Sequence, residues 1–264
     1  MNRLLALIKR EWKTGQRDYT IYGLVVVLLL FGFETMQSLI VRYTGMASFP
    51  MEVYSEMFPG FLLLGGFITT SMMFSEDMYS KNSQHNWLML PATNLEKFLS
   101  KALVSTIAYP IAVTLVFFLT SVVTEPIQLL IFGSPVGLFN PFKGNELGML
   151  LAQYWVWNSV FILGAAYFHK AHFVKTVLAV GVIALGFGGL ALLFTRLVFA
   201  IKFGSTVNFF DTLNFNYPDF PENSMLSIKV FTGISNVLYY AVLPLFCMVT
   251  AFFRVEEVQA TDAV

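Results

Sequence analysis

Glu34 is the one carboxylate that falls well inside a long apolar stretch of this chain. An ionised carboxylate at the centre of a bilayer costs about 3 kcal/mol or more. Glu34, with Gln37 one turn further on, should therefore face a protein interior, a partner or water, where the two could line a substrate path. It could equally sit at the outer interface, because Arg42 follows two turns later. His169 and His172 are three apart, a spacing that can hold a metal, but no carboxylate or cysteine nearby completes a site. Other reactive constellations are missing. The sequence has no GxxxxGK[ST] phosphate loop, no HExxH, no GxSxG and no paired-carboxylate motif within an apolar stretch. No catalytic or metal-ligating residue is assigned, and no cofactor is expected on this chain. Its single cysteine, Cys247, has no partner for a disulfide.

The elements that carry these residues are membrane helices. Of 264 residues, 56% are hydrophobic, 12% are charged and 28 are phenylalanine, and the mean hydropathy is +0.68. A soluble domain carries about twice that share of charge. Sixteen basic and sixteen acidic residues cancel, so no global field favours nucleic acid. A span needs about 20 mostly apolar residues, and six stretches qualify: Thr20–Val41, Met57–Phe74, Ala102–Val123, Leu147–Phe168, Val174–Thr195 and Val230–Phe253. The fold expected is an all-α, polytopic membrane domain of six spans over 20–253, with a short tail at 254–264.

Within the spans, Gln153 and Asn158 weaken the fourth. Pro110 and Pro244 interrupt the third and sixth, which a membrane helix tolerates when neighbours satisfy the freed carbonyl. Gly181, Gly186, Gly188 and Gly189 mark the fifth for close helix packing. Residues 1–17 read as a separate amphipathic helix in the interface, with Leu5, Ile8 and Trp12 on one face and Arg10, Lys13 and Arg17 on the other. Its apolar run is too short for a cleaved signal peptide. Counting Lys and Arg with the N-terminus inside puts eleven on inner segments and five on outer ones, so both termini should be cytoplasmic. The outer connections 125–146 and 196–229 hold the apolar runs Ile127–Phe132 and Leu197–Ile201, which suit either short re-entrant pieces or plain loops.

Between the second and third spans, residues 75–101 read as a polar stretch to Asn86, apolar Trp87–Leu90, a stop at Pro91 and a new helix start. Thr93 precedes Glu96 by three, the spacing of a capping box. This predicts a short amphipathic helix, a sharp turn and a capped membrane helix.

That segment resembles the cytoplasmic loop of type-2 ABC transporter permeases, in which an acidic residue, a Gly-Thr-like step, a Leu-Leu pair, a Pro and a downstream Glu and Lys precede the third helix. The matching residues are Glu76 or Asp77, Asn82-Ser83, Leu88 with Met89 or Leu90, Pro91, Glu96 and Lys101. Asn82-Ser83 in place of Gly-Thr departs from the pattern and leaves the register of the loop helix open. The run Leu90–Lys101 is similar to permeases of Bacteroidetes-type bacteria, which implies a bacterial inner membrane. The resemblance implies a coupling helix seated in a separate ATP-binding subunit, which would hold the ATP and Mg. It also implies a second permease copy or a related permease, and export as the direction. Tyr79, Asn82, Ser83, His85, Trp87 and Leu88 are the residues it places at that contact. Two other readings stand beside it: an ion-coupled carrier or channel working alone, and a membrane scaffold.

Overall fold

Where lipid offers no hydrogen bonds to the backbone, a chain can span only as helices or a closed barrel. The computed structural model describes residues 2–44, 53–79, 87, 89–132, 138–142, 146–168, 171–203 and 224–262, and every regular element among them is helical. In chain order these are α1 (Asn2–Thr44), α2 (Val53–Gly60), α3 (Gly66–Tyr79), α4 (Asn94–Leu103), α5 (Tyr109–Phe132), α6 (Glu146–Tyr167), α7 (His172–Phe203), α8 (Ser224–Val237) and α9 (Leu243–Asp262). Single π-helical turns join α2 to α3 at Phe61–Gly65, α4 to α5 at Val104–Ala108, and α8 to α9 at Leu238–Val242. Six helices are long and apolar enough to cross a membrane: Arg3–Ile40, Val53–Phe74, Asn94–Ile131, Leu147–Tyr167, His172–Phe194 and Thr232–Glu257. An even number of crossings brings Asn2 and Asp262 to one end of the bundle, here the terminal end.

Two expectations about element boundaries change. Residues 1–17 do not form a separate helix, since α1 runs unbroken for 43 residues, about 65 Å at 1.5 Å per residue. It packs on α4, with Leu7 buried and Glu11 half-buried, while Leu5 and Trp12 of the expected apolar face stay exposed. At the opposite end, Ile127–Phe132 is no re-entrant piece but the continuation of α5 beyond Pro126, and Leu197–Ile201 continues α7. Residues 204–223 lie outside the described residues.

The fourth span, α6, is the hub, packed against α3, α7 and α9. It is also the most polar span, and its polar groups are used. Asn158 is fully buried; it accepts from the Thr70 hydroxyl at 2.7 Å and donates to Thr106 Oγ1 at 3.0 Å, which ties spans two, three and four together. Tyr154 resolves the problem posed by Pro110. In the π turn before it, the Tyr109 N–H bonds back to the Val104 carbonyl, so the next carbonyl, Ser105, would await an N–H that Pro110 lacks. The Tyr154 hydroxyl donates to that Ser105 oxygen at 2.6 Å. The Tyr109 hydroxyl likewise donates to the Phe61 carbonyl, in the π turn over Phe61–Gly65, at 2.9 Å.

Close packing is found at a different glycine from those expected. A Cβ on Gly164 would lie 2.0 Å from the Thr176 hydroxyl, so α6 and α7 can approach only because residue 164 is glycine. Gly181, Gly186, Gly188 and Gly189 meet nothing within 4 Å. Residues 182–194 of α7 are exposed, and glycine spacing alone does not say which helix face will find a neighbour.

Tyr154→Phe should destabilise the protein by about 1–2 kcal/mol, the cost of a buried carbonyl left without a donor. The loss should shrink in a Pro110→Ala background, where residue 110 regains its N–H. Equilibrium unfolding in mixed micelles over the four-member cycle measures the coupling.

Candidate functional site

Two polar constructions stand out, one at each end of the bundle. At the terminal end, α4 buries a face made of Lys97, Phe98, Lys101 and Ala102, so two lysines sit where an amphipathic helix would place leucines. Each is held by a carbonyl. Lys97 Nζ donates to the Trp87 carbonyl at 2.8 Å, with its ammonium 5.7 Å from the Trp87 ring centroid. Lys101 Nζ donates to the Met73 carbonyl of α3 at 2.9 Å and lies 3.9 Å from the Glu11 carboxylate of α1. Hydrogen bonds to a charged donor are among the stronger ones, and these tie α1, α3 and α4 to the connection that ends at Trp87.

The capping box forms as the spacing predicts. Thr93 N–H donates to Glu96 Oε2 at 3.0 Å, and Glu96 N–H donates to Thr93 Oγ1 at 3.3 Å. Ahead of it, the turn over Trp87–Ala92 closes through Leu90 N–H to the Trp87 carbonyl at 3.4 Å. Tyr79 is the last residue of α3. Asn82, Ser83, His85 and Leu88 lie outside the described residues, as does the amphipathic helix expected there. Trp87 is described, and its ring does not face outward. It is 4% exposed, in a core with Phe74, Phe98, Ile162, Ala251 and Val255. Trp87 therefore anchors the end of this connection in the core. Lys97 reads in sequence as a topology charge, and Lys101 as that and as a match to the loop motif; their spacing with Phe98 and Ala102 is the signal that could have shown them buried.

At the far end, Glu34 is buried and does not face the interface alone. Tyr54 of α2 and Thr124 of α5 hydrogen-bond to one another through their hydroxyls, and both lie at the Glu34 carboxylate. Glu125 is buried too, near enough to interact with Glu34 electrostatically. Gln128, one turn further along α5, is 1% exposed. Glu34 Oε2, Glu125 Oε1 and both polar atoms of the Gln128 amide have no partner. Gln37 is half-buried one turn beyond Glu34 and has partners of its own. Glu125 falls past the apolar window and beside Pro126, which is why it reads as a loop residue in sequence.

Elsewhere, an apolar groove of about 570 Å³ runs between α1 and the second and third spans, lined by Trp12, Tyr19, Tyr22, Met57 and Phe61 among others. Among the described residues no group of three or more His, Cys, Asp or Glu comes together; His172 Nδ1 bonds to the Phe168 carbonyl, and His169 lies outside them. No family model, no curated protein and no solved structure matches the chain.

Lys97→Met keeps the stem that fills the core but removes the bond to the Trp87 carbonyl. Limited proteolysis within residues 80–92 should speed up about tenfold, as expected for a loss near 1.4 kcal/mol in local opening, while cleavage elsewhere stays unchanged.

Proposed function

We propose that this chain is the membrane-spanning permease subunit of an ATP-driven transporter, engaged by a separate ATP-binding subunit through the connection 75–101. The observation that carries the reading is the attachment of that connection. Its described end is buried through Trp87, clamped by Lys97 and joined through Lys101 to α1 and α3. The core around Trp87 also takes in α6 and α9. A force applied near residues 80–88 would therefore reach the first, second, third, fourth and sixth spans together. A device that takes energy by contact needs this kind of stiff attachment and no catalyst of its own, in keeping with a sequence that lacks a phosphate loop.

The resemblance of residues 75–101 to the loop of type-2 permeases supports the same reading and implies a bacterial inner membrane, and the basic-residue bias favours a cytoplasmic position for that loop. ATP and Mg would be bound by the partner subunit. Transport would be export, with a second copy or a related permease completing the pathway. Tyr79, Asn82, Ser83, His85 and Leu88 are the residues assigned to the contact, with Trp87 as their support.

Mild detergent extraction of the tagged full-length chain should bring down a subunit containing a P-loop. Tyr79→Asp with His85→Asp should abolish that association while leaving the thermal unfolding of the permease in place. Retention of the ATPase by the double variant, or copurification of no P-loop protein, would count against the reading.

A further inference from the structure

The coupling reading leaves the far-end cluster unused. Two carboxylates from different helices are buried side by side, and among the described residues neither has a basic partner. Arg42, two turns above Glu34, donates to the Ile131 carbonyl instead. Isolated buried charge of this kind is unstable unless something neutralises it. The Gln128 amide adds a separate observation. It is on the same face of α5 as Thr124 and Glu125, almost wholly buried, and neither its carbonyl nor its NH2 is satisfied. A buried amide with both ends unmade is rare in a native interior. One guest could answer both deficits.

We propose that Glu34, Glu125 and Gln128, with the hydroxyls of Tyr54 and Thr124, form a binding site for a small hard cation in the far half of the bundle. The donor set argues for the chemical class. It holds two carboxylates, an amide carbonyl and two hydroxyls, all oxygen, with no imidazole or thiolate to select a transition metal. The cation supplies the positive charge that the carboxylates lack and a ligand position for Glu34 Oε2, Glu125 Oε1 and the Gln128 carbonyl. The Gln128 NH2 then donates to a water in the cation's shell. Glu34 comes from the first span, Tyr54 from the second, and Thr124, Glu125 and Gln128 from the third, so occupancy ties three helices together.

The site can be tested on the purified full-length chain in lipid nanodiscs with no ATP-binding subunit present, so its failure is separate from failure of the coupling reading. Thermal unfolding is followed in Na+, K+, Mg2+ or Ca2+ chloride, each balanced with choline chloride to constant ionic strength. One of these cations should raise Tm saturably by about 5 °C at a large excess over its dissociation constant. In Glu34→Gln with Glu125→Gln the rise should vanish, and without cation that variant should unfold at or above the wild-type Tm, because two uncompensated charges are gone. Glu125→Asp, which withdraws one ligand by a methylene, should need about tenfold more cation for the same shift. The proposal is overturned if no cation moves Tm relative to choline, if the double variant responds as wild type does, or if only pH shifts the unfolding, which would mark a shared proton.

Discussion

Inside a hydrocarbon layer every backbone carbonyl must find its donor within the protein, and Pro110 creates one that cannot do so within its own helix. The Tyr154 hydroxyl on Ser105 answers this. It fixes the side on which α6 meets the third span, and Asn158, one turn along, extends the seam to Thr70 and Thr106. Around this seam the fourth span becomes the hub, and the helices beside it take positions from which the two polar ends of the bundle are built. Both ends depend on buried ionisable groups, but in opposite ways. Lys97 and Lys101 at the terminal end are met by carbonyls and a carboxylate. Glu34 and Glu125 at the far end are not met by any basic side chain among the described residues.

The parts of this arrangement that were legible in sequence are the ones set by local rules. Six spans follow from apolar length, and the Thr93–Glu96 cap follows from a spacing of three. The tolerance of Pro110 could be anticipated as well, though not that Tyr154 would provide it. What escaped depended on neighbours. The charges of residues 1–17 suggested an interfacial helix, yet Leu7 is buried, Glu11 meets Lys101 of α4, and the helix continues straight into the first span. Trp87 read as a surface anchor because the loop resemblance placed it at the contact with an ATP-binding subunit. Its burial depends on Phe74, Ile162 and Val255, which are distant in sequence. Glu125 was hidden by Pro126, which marks the end of many helices but here lies within α5.

The unbroken first helix has a mechanical consequence. Glu11 is held at one end by Lys101, and Glu34 at the other belongs to the carboxylate cluster; 23 residues of continuous helix separate them, or about 35 Å. A rod of that length is a lever. Tilting it by about 5° about its terminal anchor would displace the far carboxylate by about 3 Å, comparable to a whole cation–oxygen distance. No intermediate conformational relay is needed for a small rotation at one membrane surface to dismantle or complete an ion cage at the other.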